Sequence, residues 1–564
     1  MALAAHNNVA SLMKKSLDRQ TIIARSKFRL KQSQVRQILF NLVHEQISGP
    51  YFELVKVLRG SSVNDENFKI LFEDCTVCVV LLGHELRTFV EVICDIEWNH
   101  REEHLLELFK TFLLDLVTAH IYHAPLVMSS LMKQFKASGQ NWELNPPSDT
   151  VTRWSNIHSV IAQIVAVMPM SVDILMQTIV DEYPYYKTGC YINRAYAHNL
   201  IWITKYIPAL KEQIITAIIN RLVIMDVNLV DRSKSVLAQT ETIFDMDIDE
   251  SGDTELSDGL DYCILEVLHW LEEEREPALN VMCNVFERVI LPTHGIRHVQ
   301  FLLLYTISIS QQCADRVFSM LWKIAAGQHG LGPGALATRK TASSHLSGLL
   351  ARCRRVPNTR IVHYLKNMAE WCNAYITATQ ESMACDNTKV HGAFHAICHA
   401  VFYLVAFKHQ HLFMSKESIN FLESLNLSRI VTCPLNPLRT CPSQVSRAFA
   451  AVTRMHQLLY CQPIIERNAR QTLGSSTSDK IDEWFPYDPY TLPRSGEVIW
   501  PLCIEYKDTF KDGDDETQYS SMKRKLEADD EDYLLASPHS KLANSLSNCI
   551  SPGTFSSYNI IYLF

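Results

Sequence analysis

The chain predicts an all-α fold: a HEAT-like superhelix of helical hairpins (a solenoid), interrupted by an acidic disordered loop and ending in a disordered tail. Three observations predict it. Apolar residues recur three and four positions apart along most of the chain, which lines one face of a helix and not of a strand. Helical runs return in pairs at intervals of about 40 residues without a crisp repeat, as degenerate HEAT repeats do. One stretch, Phe244–Asp261, breaks the pattern, with eight Asp or Glu and no Lys or Arg.

Composition fixes the class. With 47% hydrophobic and 20% charged residues, most of the 564 residues can be folded. A solenoid keeps one continuous core as repeats are added, so this length needs no division into many globular domains. No uninterrupted apolar run reaches the roughly 18 residues of a membrane span, so no membrane partner is expected. The sixteen cysteines are scattered among Leu, Val, Ile and Phe, the setting of small buried hydrophobes in a reducing compartment. The expected organisation is a helical array over 1–243, the acidic loop over 244–261 and a second array over 262–470. A loop and aromatic strap over 471–508 and an acidic tail over 509–564 follow.

Taken in order, the chain opens with a basic arm or first helix, in which Lys14, Lys15, Arg19, Arg25, Lys27, Arg29, Lys31 and Arg36 outweigh Asp18. Its composition also fits a transit peptide. Helical spacing starts with Val35, Leu39, Leu42 and Val43, continues over Glu102–Ala119 and Leu126–Phe135, and breaks at the polar Asn141–Thr150. Pro169, Pro184 and Pro208 punctuate the next runs, since proline lacks the donor that a helix interior needs. After Pro208, Leu210, Ile214, Ile215, Ile218, Ile219, Leu222 and Met225 form one stripe.

The acidic loop comes next: Asp245, Asp247, Asp249, Glu250, Asp253, Glu255, Asp258 and Asp261. So much charge and so few aromatics offer little apolar area against the entropy of ordering. It reads as a solvated linker or as an electrostatic lure for a basic partner. The helical grammar then resumes with Leu279, Met282, Phe286 and Val289, stopped by Pro292, and with Val299–Ile309 and Arg316–Ala326. A glycine-rich connection, Gly327–Gly334, precedes runs at Leu346–Arg355, Ile361–Thr377, Phe394–Phe407, Ser418–Leu425 and Ser443–Tyr460. Trp484-Phe485-Pro486-Tyr487-Asp488-Pro489-Tyr490 predicts an extended aromatic strap packed on the last hairpin.

Residues capable of chemistry are few. His391, His395 and His399 share a helix face and could hold zinc, which would make the chain a metal hydrolase. The glutamate of H-E-x-x-H is missing and the neighbours are core-like, so buried seam histidines are the plain reading. Cys75 and Cys78 form a C-x-x-C without a second pair. No phosphate-binding loop or nucleophile elbow occurs, so neither catalysis nor a cofactor is expected. Arg352, Arg354, Arg355 and Arg360 cluster where an apolar helix ends. They form either a solvated cap favoured by the helix dipole or a docking patch for phosphate or acidic protein. In the tail, Lys523, Arg524 and Lys525 form a short candidate import signal. Ser537 and Ser551, each followed by proline, are candidate phosphorylation sites, where phosphate would add charge of about −1.5 to −2.

Six segments, in order, resemble the RNA polymerase I-specific transcription initiation factor family. They are RLVIMDVNLVD from Arg221, ILPTHGIRHVQFLLLY from Ile290, HGAFHAICHAVFYLVAFKH from His391, LNPLRTCPSQVSRAFAAVT from Leu435, QPIIERNAR from Gln462 and WFPYDPYTLPRS from Trp484. The resemblance spans about Tyr183 to Asp508. It implies a HEAT-repeat scaffold without catalysis, a bridge between RNA polymerase I and the promoter-bound core factor, regulation by phosphorylation, and a nuclear and nucleolar setting. It further implies a homodimer in the free state. Leu350–Arg354 corresponds to a family segment associated with promoter-side contacts, to the core factor or weakly to promoter DNA. The sequence departs from the family at His395 and His399 and in the glycine-rich connection. The rival reading is a HEAT scaffold for nuclear transport or complex assembly.

Overall fold

A computed structural model describes residues 29–60, 63–136, 139–239, 250–328, 335–379, 388–472, 486–487 and 490–505. The basic residues before Phe28, Trp484, Phe485, the import signal and both serine candidates lie outside the described residues. The described chain is helical, and its one strand-like feature is an isolated antiparallel bridge between Cys353 and Cys503. It divides into two compact units, Met1–Arg221 with Asp249–Glu266, and Leu222–Ile248 with Val267–Phe564.

Unit one begins with α1 (Gln34–Glu45), α2 (Gly49–Gly60), α3 (Asp65–Val77), α4 (Arg87–Cys94) and α5 (Glu103–Ala119). It continues with α6 (Ala124–Gln134), α7 (Ser148–Val167), α8 (Ser171–Asp181) and α9 (Cys190–Tyr206). Each start has a local cause where the cap is formed: the Asn64 side chain accepts from the Asn67 N–H at 2.9 Å, which satisfies an orphan donor of α3. Helices two apart pack on each other, α1 on α3, α3 on α5, α5 on α7 and α7 on α9, with α2, α4, α6 and α8 in a second series. Between them Phe72 meets Phe109 and Phe112, with ring centroids 4.8 and 5.2 Å away. Each such buried ring contributes about 1.5–3 kcal/mol.

The acidic stretch is a helix from Glu250 onward, and this corrects the loop expected there. α10 (Lys211–Gln239) and α11 (Glu250–Glu274) flank residues 240–249, which lie outside the described set. Leu256, Leu260, Cys263, Ile264, Val267, Leu268 and Leu271 are buried at helical spacing, and this stripe supplies the apolar area that charge counting overlooks. Glu255 is exposed, whereas Asp261 is fully buried.

The same helix closes the polar centre of unit one. Glu266 accepts from Arg194 Nε at 2.8 Å and pairs with His198 Nδ1 at 2.9 Å. The Arg194 guanidinium lies between the Trp142 and Tyr262 rings, 4.1 and 4.4 Å from their centroids. Burial raises the Glu266 pKa, but hydrogen bonding from His198 and the charges of His198 and Arg194 hold it below the usual glutamate value.

Unit two contains α12 (Glu276–Val285), α13 (Phe301–Ile309), α14 (Gln311–Ala326), α15 (Ala335–Arg352), α16 (Asn358–Ala378) and α17 (Thr388–Phe407). Short helices follow: α18 (His409–Leu412), α19 (Lys416–Ser424), α20 (Leu427–Thr432), α21 (Pro437–Thr440), α22 (Ser443–Met455), α23 (Gln462–Thr472) and α24 (Pro493–Ile499). α17 is the hub, packed against α14, α15, α16, α21 and α22. Among the described residues it is the one unbent helix long and apolar enough to cross a membrane, and burial within this core accounts for that composition. The stripe through Val289 is not one α-helix: α12 stops at Val285 and Phe286–Ile290 is a π-turn, closed by the Leu291 N–H to the Phe286 carbonyl at 2.9 Å. Pro292, without a donor, cannot extend the α-pattern there. Gly327 ends α14 at φ 79°, a left-handed conformation that costs glycine little.

Candidate functional site

The end of α15 carries the arginine cluster, and the chain after α24 lies beside it. The Arg354 N–H donates to the Leu502 carbonyl at 2.9 Å and the Ile504 N–H to the Arg352 carbonyl at 2.7 Å, which forms the bridge at Cys353 and Cys503. The four arginines therefore do not form one solvated patch. Arg352 is 8% exposed, donates to the Ile504 carbonyl at 3.2 Å and lies over the Phe407 ring. Arg360 holds Asp315 and Gln311 and covers Phe318. Arg354 is exposed and reaches the Cys503 carbonyl at 3.3 Å, and Arg355 is exposed. The surface part of the cluster is thus Arg354 and Arg355.

The strap packs back on the middle of unit two and not on the last hairpin. Tyr487 sits against Phe301 of α13 and Gly348 of α15, and its hydroxyl is 3.1 Å from His345 Nδ1. Pro486 accepts from the Gln300 amide, and Tyr490 packs edge-on to Phe301. The reason is shape: at Gly348 the helix lacks a side chain, and the Tyr487 ring occupies that space.

A buried polar latch fixes this strap, and sequence reasoning did not single it out. One oxygen of Asp226, on α10, accepts from the backbone N–H groups of Arg297, His298 and Val299 at 3.0, 2.8 and 3.0 Å. Its other oxygen is 2.8 Å from His298 Nδ1, and His298 Nε2 is 2.7 Å from the Thr491 hydroxyl. A carboxylate only accepts, so Nδ1 carries the proton, and in the neutral ring the threonine hydroxyl donates to Nε2. Carboxylate, imidazole and hydroxyl are ordered as in a hydrolase relay. Here they tie α10, the turn before α13 and the strap together.

The three histidines of α17 are likewise committed to packing. His391 Nδ1 is 2.9 Å from the Tyr375 hydroxyl, while the Thr440 hydroxyl is 3.1 Å from both His395 Nδ1 and His399 Nε2. Among the described residues, no group of three or more His, Cys, Asp or Glu is placed to hold a metal. Burial pushes His395 down to about 4 and His399 to about 3, so both are neutral near pH 7. Asn436 and Asn468 exchange amide hydrogen bonds at 2.7 and 3.2 Å. Within unit two, the segments that resemble the transcription-factor family meet in two groups, those of Asp226, His298 and Thr491 at the latch and those of His395, Asn436 and Asn468 around α17 and α21.

The chain matches the family described as RNA polymerase I specific transcription initiation factor RRN3 over residues 26–266 and 255–511. It belongs to that family. As a member of the RRN3 family it is an RNA polymerase I-specific transcription initiation factor and not an enzyme. The mouse RNA polymerase I-specific transcription initiation factor RRN3 is 27% identical over 516 residues, covering 81% of this chain and 78% of its own. The fission-yeast (Schizosaccharomyces pombe) factor rrn3 is 22% identical over 575 residues, 92% of this chain and 94% of its own. In fold, the chain is similar to the crystal structure of RNA polymerase I transcription initiation factor Rrn3. The TM-score is 0.68 at 21% identity, covering 84% of this chain and 97% of that one. For a member of this non-enzymatic family the latch is therefore a structural tie.

Proposed function

We propose that this chain is a non-catalytic adaptor that binds RNA polymerase I and brings it to the promoter-bound core factor at ribosomal RNA genes. Its setting in this reading is the nucleus and nucleolus. The observation that carries the reading is the family match, which runs through both units from residue 26 to residue 511. The alternating packing of helices in unit one supports a HEAT-like superhelix, a form that offers extended surfaces to large partners. Arg354 and Arg355 are the exposed cations of the promoter-side patch, and weak contact with promoter DNA would add to protein contact there. Ser537 and Ser551 are the proposed phosphorylation sites and Lys523, Arg524 and Lys525 the proposed import signal. In the free state the chain is proposed to form a homodimer that separates on polymerase binding.

The test is affinity purification of the tagged chain from growing cells, beside an R354E/R355E variant. Near-stoichiometric polymerase I subunits are expected with both proteins, and the variant should retain core factor at least about fivefold less, the scale of one or two exposed charge contacts. Transport or assembly factors in place of polymerase I would refute the adaptor reading. Equal core-factor recovery would move the promoter-side surface elsewhere.

A further inference from the structure

Lys408 follows α17 directly and is only 5% exposed, yet among the described residues no carboxylate lies within ion-pair distance of its ammonium. Near it lie the Phe407 ring, 5.8 Å away and shared with Arg352 at 5.1 Å, and the Cys353 thiol. Burial of the side chain pulls its pKa below the ordinary lysine value, and the ammonium, without an ion-pair partner among the described residues, is left to the cavity it lines. Such a group calls for an anion.

The surroundings supply a place for one. Lys408 lines a cavity of about 330 Å³ with Ile361, Val362, Leu412 and Phe421 as its apolar walls. Asn358 at the first turn of the 21-residue α16 and Ser418 in the first turn of α19 line the same cavity, so two positive helix ends border it. His411 adds a further ring nitrogen, and Glu417 is the one acidic group on the wall. The Ser415 hydroxyl already accepts from the Ser418 N–H at 3.2 Å, which leaves the Ser418 hydroxyl for a ligand beyond its 2.9 Å contact with Ser415.

We propose that this cavity is a binding site for a phosphate monoester, with the dianion on Lys408 and the helix ends and the ester body against the apolar walls. The site is separate from the docking patch, so the proposal stands or falls independently of the adaptor reading. The phosphate can come from a phosphorylated side chain of a polypeptide or from a small metabolite. The chemistry is shared, and the apolar walls favour an ester over the bare ion.

The experiment is calorimetric titration of the full chain with glycerol 3-phosphate, with acetyl-Gly-phosphoSer-Gly-amide and with inorganic phosphate, at constant ionic strength set by chloride. Saturable binding of either ester, weakened at least tenfold by Lys408→Met and strengthened by Glu417→Gln, is the expected result. Methionine fills the lysine volume without a charge, so the variant keeps its fold, and its thermal unfolding midpoint without ligand verifies this. The tighter of the two esters identifies the source as chain or metabolite. No saturable binding, or equal binding by wild type and Lys408→Met, would overturn the assignment.

Discussion

At the residue scale, Asp226 does the most in unit two. It is fully buried and meets four donors: three backbone N–H groups and the His298 ring. Replacing it with alanine strands all four in a dry interior, and breaking a buried charged network of this kind costs about 3–5 kcal/mol. Asparagine should be far milder. Its carbonyl can keep the backbone donors while its amide donates to Nδ1 and the imidazole switches tautomer to donate to Thr491. Urea unfolding should show a large drop in midpoint for Asp226→Ala and a drop no more than half as large for Asp226→Asn. Equal losses would mean that the charge, and not the hydrogen-bond pattern, holds the strap. This residue was legible in part. Asp226 lies four positions after Leu222, on the buried stripe of α10, and a lone carboxylate on an apolar face demands buried donors. Its donors stand some seventy residues away, at a separation that no local pattern reports.

At the element scale, the strap and α15 are shaped to each other. A Cβ at Gly348 would lie 2.7 Å from Tyr487 Cδ2, too close for a ring that also packs edge-on to Phe301. Gly348→Ala favours the helix by propensity but should destabilise unit two by about 1–3 kcal/mol, because overpacking forces the strap outward. Limited proteolysis would then cleave near residues 486–505 faster than in wild type, and unchanged cleavage would argue against the close fit. The helices themselves were readable from spacing. α5, α13 and α16 stand within three residues of where periodicity sets them, since each buries a stripe that the sequence displays. α11 was misread for a physical reason. Net charge describes the exposed face of a helix, whereas burial depends on the period of the other face, and Leu256, Leu260, Ile264 and Leu268 keep that period through the acids. The strap was legible as a strap but not in its destination, because aromatic area signals that a segment packs and not where.

At the scale of the whole molecule, the buried histidines set the response to acid. His158 in unit one, held by Tyr206 and Asn199, is pushed down to about 3 by burial. In unit two, burial pushes His345 and His399 to about 3 and His395 to about 4. Each ring titrates near 6.5 when unfolded, so between that value and its folded value the unfolded state binds the extra proton. Stability is therefore full above about pH 6.5 and falls as the pH drops, by about 1.4 kcal/mol per pH unit for each ring. Glu266 acts later. Its folded pKa lies below the usual 4.5, so its contribution is present above that value and is lost only as the pH falls through the lowered one. Going from pH 7 to pH 5 should accordingly cost unit two roughly 6 kcal/mol through its three rings and unit one roughly 2 through His158. Urea titrations at the two pH values, read by hydrogen exchange at amides of α7 and α9 for unit one and of α15 and α17 for unit two, would separate the losses. Unit two should lose more protection, and His395→Gln should remove about a third of its pH dependence while leaving that of unit one unchanged. A pH-independent midpoint between 7 and 5 would show that these rings take up protons without unfolding, and that the packing around Thr440 and Tyr487 opens to water more readily than its burial implies.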